Sequence, residues 1–340
     1  MKKDPKKILS IDSLEIGYSS GKTKKVLLPP LNAGATTGEL IAVIGRNGIG
    51  KSTLLRTLAG LQEPLDGEIL YNGRNVKDYS RMELALKVGY ISTEIVKVSN
   101  MRVYDLVALG RFPHTNWIGK IEKEDDERIL DAISKTAMGS FCQKYISELS
   151  DGERQKAMIA RILAQDTGIM VMDEPTAFLD IAAKYEILHL LHQLSGDSGK
   201  TIIFSTHDLQ MAISQSDKIW LILDDCLIEG APEDLMISGA FDHLFSSTNV
   251  SFNTEDGTFS FRNDTLGSIY IEGSGVKRYW TGKAVNRAGF SVAKEKTSTY
   301  IIVPSDANSF WQLSANSQIY KYTTVYELIA GLKRAAIDPI

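Results

Sequence analysis

Nine consecutive residues, Gly45-Arg46-Asn47-Gly48-Ile49-Gly50-Lys51-Ser52-Thr53, hold the densest chemistry in the chain. Glycines at 45, 48 and 50 let the backbone curl until successive N–H groups point inward, which makes a cradle for an anion. The Lys51 ammonium can reach the β- and γ-phosphates of a nucleotide, and the Ser52 hydroxyl can ligate Mg²⁺.

Three further stretches are candidates. Ile169-Met170-Val171-Met172-Asp173-Glu174-Pro175 reads as a buried strand ending in two carboxylates. Beside a phosphate loop, the first can hold Mg²⁺ through water and the second can orient and deprotonate an attacking water. Two adjacent acids at a strand end are costly as mere packing. Thr201-Ile202-Ile203-Phe204-Ser205 is a similar strand that ends at Thr206-His207-Asp208. Of the histidines only His207 stands at such an end; His114, His189, His192 and His243 read as surface or capping residues. Leu149-Ser150-Asp151-Gly152-Glu153-Arg154-Gln155 opens a helix that Ser150 can cap, and Gly152 permits close approach to its free N–H groups. Alone, that segment is an ordinary cap.

The cradle needs a strand before it and a helix after it. Residues 39–44 are a nearly unbroken apolar run, as a strand covered on both faces of a parallel sheet must be. Leu54, Leu55, Leu58 and Leu61 recur at helical spacing, so a helix N-terminus faces the anion. Upstream, residues 8–18 alternate loosely and 21–25 read as a turn. This is an antiparallel hairpin region in which Tyr18 reads as a strand aromatic with one face covered. Downstream, 68–73 and 88–91 are short strands and 101–164 turns helical. Val103, Leu106 and Val107 share one helix face, and Ile129, Ala132 and Ile133 share another. The charged run 122–128 reads as the solvated face of the second of these helices.

A length of 340 residues is comfortable for two domains. A net charge of -4 and a pI near 5.8 count against nucleic acid as a partner. Cys142 and Cys226 lie outside any metal-ligand spacing and fit a reducing compartment. The basic residues 1–7 are not followed by the apolar stretch of a signal peptide, and no run approaches the roughly 18 apolar residues that cross a bilayer. The expectation is a soluble protein that meets a membrane only through a partner.

The phosphate loop, Leu149-Ser150-Asp151-Gly152-Glu153, Asp173-Glu174, Ala177-Phe178-Leu179-Asp180 and His207 together resemble the ATPase subunit of ABC transporters, over residues 8–240. Gly110-Arg111-Phe112-Pro113-His114 and Ala164-Gln165-Asp166-Thr167 are similar to the branch that imports iron siderophores, haem or cobalamin. The resemblance implies an α/β P-loop ATPase core with an antiparallel β subdomain and a helical subdomain near 95–165. It implies ATP and Mg²⁺ as cofactors. Tyr18 then becomes the aromatic that stacks on adenine, against its first reading, since base stacking is worth roughly 1 to 3 kcal/mol. Gly45, Asn47, Gly48, Gly50, Lys51, Ser52 and Thr53 match the phosphate and metal-binding loop. Asp173 matches the metal-ordering carboxylate, Glu174 the general base, and His207 the switch histidine at the γ-phosphate. Ser150 and Gly152 match the signature that caps ATP held by the opposite subunit, and Asp180 matches the loop that acts across the dimer.

A signature segment presenting a helix N-terminus needs an anion, yet the phosphate loop already has a different helix; a head-to-tail pair sandwiching two ATP molecules solves this. The implied partners are a second copy, transmembrane permease subunits and, indirectly, a substrate-binding protein. The implied location is cytoplasmic, on the inner face of the cell membrane. A non-transport ABC ATPase is the alternative; a single cassette disfavours translation factors, and the lack of long heptad runs disfavours repair ATPases. Two departures stand out. Ser92-Thr93-Glu94 occupies the place of a metal-contacting glutamine, with Thr93 the best match, and Asp151 and Glu153 replace a glycine and a glutamine.

Residues 241–340 read as a small accessory α/β domain. Phe252 and Phe259-Ser260-Phe261 flank a hairpin turn at 255–257, and 268–271, 290–293 and 300–303 read as strands. Residues 277–288 read as a helix ended by Gly289, and Thr324 with Glu327 as the capping box of a last helix bearing Val325, Leu328, Ile329 and Leu332. Trp280 and Trp311 are assigned to its core. Gly273-Ser274-Gly275 reads as a tight turn. The catalytic motifs are complete by His207, so a chain ended near Gly239 is expected to keep binding and hydrolysing ATP.

Overall fold

The computed structural model describes residues 7–20, 23–93, 100–115, 119–245, 250–253, 257–261, 265–305, 309–315 and 318–337. Strands β1 (Lys7–Ser20) and β2 (Thr23–Thr36) form the expected antiparallel pair. Then come β3 (Leu40–Gly45), helix α1 (Lys51–Leu58), β4 (Asp66–Tyr71), β5 (Arg74–Asn75), α2 (Arg81–Ala85) and β6 (Val88–Ile91). The helical stretch holds α3 (Val103–Ala108), α4 (Lys123–Lys135) and α5 (Asp151–Ala164). It is followed by β7 (Ile169–Met172), α6 (Ile181–Gly196), β8 (Thr201–Ser205), α7 (Leu209–Gln215), β9 (Lys218–Ile222), β10 (Leu227–Gly230) and α8 (Pro232–Ile237).

Two sheets result, one in the order β2-β1-β4-β5 and a six-stranded one in the order β10-β9-β3-β8-β7-β6. In the larger sheet every pair is parallel except β9 with β10. Its central strands carry apolar residues on both faces. Ala42, Met172 and Phe204 join a cluster with Ile159 and Leu191 of α5 and α6, while Val43, Val171 and Ile203 join one with Leu54, Leu55 and Leu58 of α1. Burying a Leu- or Ile-sized side chain is worth about 1.5 to 3 kcal/mol, so these runs hold the sheet between its layers. Helix α1 stops at Leu58, and Leu61, expected on its apolar face, lies beyond it and is exposed.

The run 122–128 is not wholly a solvated face. Asp125 is buried, accepting from Arg111 Nε at 2.9 Å, and Arg111 Nη1 donates to the Ala164 carbonyl at 2.9 Å. Burial pushes the Asp125 carboxyl upward, but the Glu122 N–H and the Arg111 guanidinium outweigh it and hold the group below its ordinary value. Neighbouring Gly110 leaves no room for a side chain, because a Cβ there would meet the Arg161 carbonyl oxygen at 2.0 Å. The Gly110–Arg111 segment thus clamps α4 and the end of α5 together.

The chain divides into two compact units, Met1–Thr248 with Phe252–Phe259, and Asn249–Ser251 with Ser260–Ile340. The first runs past the expected boundary at 240, because Phe241, Leu244 and Phe252 are buried in its core. Strands β11 (Val250–Asn253) and β12 (Thr258–Phe261) form the hairpin, whose residues 254–256 lie outside the described residues. The second unit holds β13 (Ser268–Glu272), α9 (Gly275–Arg287), β14 (Ser291–Ala293), β15 (Tyr300–Ile302), β16 (Trp311–Ala315), β17 (Gln318–Tyr322) and α10 (Val325–Ile337), with sheet order β14-β13-β15-β16-β17. Its core is Ile269, Ile271, Val285, Ile301, Leu313, Leu328 and Leu332. Trp311 packs against that core and donates from Nε1 to Thr281 Oγ1 at 3.0 Å. Trp280 does not join it: α9 turns Thr281, Ala284 and Val285 inward, which leaves Trp280 62% exposed. At the last helix Thr324 Oγ1 accepts the Glu327 N–H at 3.2 Å, and the Glu327 carboxylate accepts from the Thr323 N–H at 3.1 Å and hydroxyl at 2.8 Å.

Ending the chain after Gly239 removes three buried apolar side chains at about 1.5 to 3 kcal/mol each. Such a protein should melt at least roughly 5 °C below one ended after Phe261, as read by scanning calorimetry; equal melting temperatures would return the boundary to 240.

Candidate functional site

Strand register brings the candidates to one rim of the larger sheet. Val43 of β3 stands abreast of Ser205 of β8, and Met172 of β7 abreast of Phe204. Residues 45–53, 173–174 and 206–207 therefore leave three neighbouring strands at the same level, where ligands of parallel sheets bind.

In the loop, Gly48 and Gly50 have φ of +77° and +117°, which other residues rarely adopt. Lys51 is 5% exposed, and its Nζ donates to the carbonyls of Gly45 at 2.9 Å and Arg46 at 3.2 Å. Burial pushes the Lys51 ammonium below its ordinary pKa, while the Glu174 and Asp173 carboxylates raise it. A desolvated cation that spends its hydrogen bonds on carbonyls of its own loop gains much from an incoming phosphate. A cavity of about 440 Å³ opens there, lined by Tyr18, Leu27, Asn47, Gly48, Gly50, Lys51, Ser52, Thr53, Glu174 and His207. Tyr18 is 55% exposed and its hydroxyl lies 3.1 Å from Thr53 Oγ1. The ring is thus available to a ligand, unlike a strand aromatic with a covered face.

Ser205 organises the acids. Its hydroxyl donates to Asp173 Oδ1 at 2.7 Å and accepts the Glu174 N–H at 2.9 Å. Asp173 is buried, and Glu174 sits at φ +48°, a left-handed conformation that costs of order 1 kcal/mol and collects at functional sites. Glu174 Oε1 lies 2.5 Å from His207 Nε2. The sequence assigns Ser205 only the end of a strand; the signal that marks it is a hydroxyl at the last position of an otherwise apolar buried run.

The remaining candidates are not among the residues lining the cavity over Lys51. Thr93 lines a small cavity of about 50 Å³ with Glu174, Arg154 and Leu179, and Glu94 lies outside the described residues. Ser150 and Gly152 line another cavity, of about 540 Å³, with Phe178 and Asp180, so one chain does not bring them to its own Lys51. Ser150 Oγ accepts the Glu153 N–H at 3.3 Å and the Glu153 carboxylate accepts the Ser150 N–H at 2.8 Å. That second bond holds the Glu153 carboxyl below its ordinary value. Asp151 pairs with Arg154 at 2.7 Å. Both departures from the signature thus brace the first turn of α5. Asp180 caps α6, accepting the Ala183 N–H at 2.8 Å.

A phosphate loop between a parallel strand and a helix, with acids and a histidine on the adjacent strand ends, defines a P-loop ATPase. Residues 28–177 match the ABC transporter family, and residues 266–333 match the iron ABC transporter C-terminal domain. The chain is 32% identical over 235 residues to the ferric enterobactin transport ATP-binding protein of Escherichia coli (strain K12), covering 69% of this chain and 85% of that protein. A metal-chelate-type ABC transporter in an inward-facing conformation superposes with a TM-score of 0.61 at 26% identity, covering 75% of this chain and 95% of that one. A dimeric ATP-binding cassette bound to ADP and phosphate superposes at 0.57 and 25% identity, covering 66% and 99%. The chain belongs to the ABC transporter family and is one of its ATP-binding, ATP-hydrolysing subunits.

Removing the Ser205 hydroxyl costs a hydrogen bond to a carboxylate, about 2 kcal/mol. Ser205→Ala should lower steady-state turnover by roughly thirtyfold with nucleotide affinity kept, measured by phosphate release and by binding of a fluorescent ATP analogue. Unchanged turnover would deny Ser205 this part.

Proposed function

We propose that the chain powers an importer of iron chelates of the siderophore class, two copies acting together on transmembrane permease subunits. The hydrolytic part is carried by the 2.5 Å contact between Glu174 and His207, at the cavity that Lys51 and Ser52 also line. The iron-chelate part is supported by the match of residues 266–333 and by the ferric enterobactin relative, which favour a siderophore over haem or cobalamin.

Tyr18 stacks on the adenine, and the loop N–H groups with Lys51 and Thr53 hold the phosphates. Mg²⁺ fits the donor types present, the Ser52 hydroxyl in the cavity lining and the Asp173 carboxylate at the end of β7. Among the described residues no group of three or more His, Cys, Asp or Glu can hold an ion alone, so phosphate oxygens and water complete its shell. When bound, it neutralises charge on the phosphoryl group being transferred. Thr93, near Glu174, is its further contact in place of the usual glutamine. Glu174 accepts the proton of the attacking water, and His207 holds the γ-phosphate side of the site.

Ser150 and Gly152 cap the ATP of the partner copy, and Asp180 acts across the same interface. Their separate cavity and the dimeric relative support this. Among the described residues no helix is long and apolar enough to cross a membrane. In this reading the subunit works on the inner face through the permease, with a substrate-binding protein delivering the chelate from the other side. Residues 260–340 are an accessory unit dispensable for the chemistry.

In a host lacking its own copy, the wild-type chain should restore uptake of a radiolabelled ferric siderophore and Lys51→Ala should not; no restoration by the wild type would refute the transport reading, and restoration by both would deny Lys51 its part. Glu174→Gln removes the base and spares the cradle. It should bind ATP, hydrolyse at least roughly a hundredfold slower and run as a dimer in Mg-ATP on size exclusion. A monomer with wild-type turnover would exclude Glu174 as the base.

A further inference from the structure

The back of the phosphate loop is held by a group that the chemistry above does not use. We infer that Arg46 is a positioning residue for nucleotide binding, a latch that ties the loop to segment 240–245 near the end of the first unit. This rests on the nucleotide reading of residues 45–53. Arg46 follows β3 directly, and it lines not the cavity over Lys51 but a second one of about 320 Å³, with Ile49, Asp224, His243 and Leu244. Its Nε donates to the Leu244 carbonyl at 3.2 Å and its Nη1 to Asp224 Oδ2 at 3.1 Å. The main-chain carbonyl of the same residue accepts from Lys51 Nζ at 3.2 Å and from the Ile49 N–H at 3.3 Å. One residue therefore joins the phosphate-binding ammonium to an anchor outside the loop.

The anchor is firm. Phe241 and Leu244 are buried, and the Phe252 ring lies 5.8 Å from that of Phe241 and 6.3 Å from that of Phe245 between centroids. On the other side a tight turn, closed by the Leu223 N–H on the Cys226 carbonyl at 2.8 Å, presents Asp224. The ion pair itself is weak, because Asp224 is 73% exposed. The hold lies in the planar guanidinium, which meets two acceptors on two different segments at once. Without it, a loop with two glycines at positive φ has more conformations open to it, and ordering them falls on the nucleotide.

The test uses the full chain, with Mg-ATP kinetics and equilibrium binding of a fluorescent ATP analogue. Arg46→Ala should raise both KM and Kd by about three- to tenfold with kcat within about twofold of wild type. Arg46→Lys, which reaches one acceptor, should fall between. Asp224→Asn should raise KM less and add nothing to Arg46→Ala, since both act through one latch. Unmoved KM and Kd in Arg46→Ala, a fall in kcat at constant KM, or additive effects would each overturn the latch. Should Arg46→Ala fold poorly by circular dichroism, Arg46→Lys and Asp224→Asn decide it, and wild-type KM in both overturns it. Lys51→Ala separates this inference from the reading beneath it. Loss of analogue binding there upholds the loop as the nucleotide site whatever Arg46 does, and retained binding removes both.

Discussion

Three parallel strands that stop at one level are the constraint on which the site depends. β3, β8 and β7 are locked side by side, so the loop after Gly45, the His207 segment and the Asp173-Glu174 pair emerge together. None of these groups could find the others if one strand slipped by a residue, because a single step would also send each of its side chains into the opposite apolar layer, where the neighbours fit other shapes. The register is held by residues such as Ala42, Val43, Val171 and Ile203, which are buried on both faces of the sheet.

Within that frame the site holds several locally unfavourable groups in place. Lys51 is desolvated and bonded to its own loop, Asp173 is buried against Ser205, and Glu174 is held in a left-handed conformation. The sheet covers the cost of each, since the flanking strands and helices bury far more apolar surface than these groups forfeit. Preorganisation of this kind keeps the acids from collapsing onto Lys51, because the Ser205 hydroxyl fixes one carboxylate while His207 engages the other.

The helical subdomain obeys a different rule. Its clamp is the buried Arg111–Asp125 pair, costly to desolvate and satisfied only because the Ala164 carbonyl and the Glu122 N–H complete its hydrogen bonds. That clamp fixes α4 against the far end of α5, the helix whose first turn carries Ser150 and Gly152. The capped N-terminus of α5 lines a cavity other than the one over the chain's own Lys51.

The sequence by itself determined the local chemistry: the glycine spacing of 45–50, the acids after an apolar run, the Ser150 cap and the strand-loop-helix order are all contained in short stretches whose physics is set by neighbours in the chain. It also carried the β and α elements of the second unit, since hairpin turns, caps and periodicity are local too. Tertiary structure decided what depends on distant segments. Ser205 became the organiser of Asp173 and Glu174 only because β8 lies beside β7. Asp125 left the solvated face because Arg111 folds back onto it, and Trp280 left the core because Thr281, its neighbour on α9, is the residue that faces inward. The first unit extends past 240 because Phe241 and Leu244 find a buried place there, and Arg46 reaches Leu244 across almost two hundred residues of chain. Burial and hydrogen bonding between such segments follow from packing, which no local pattern encodes.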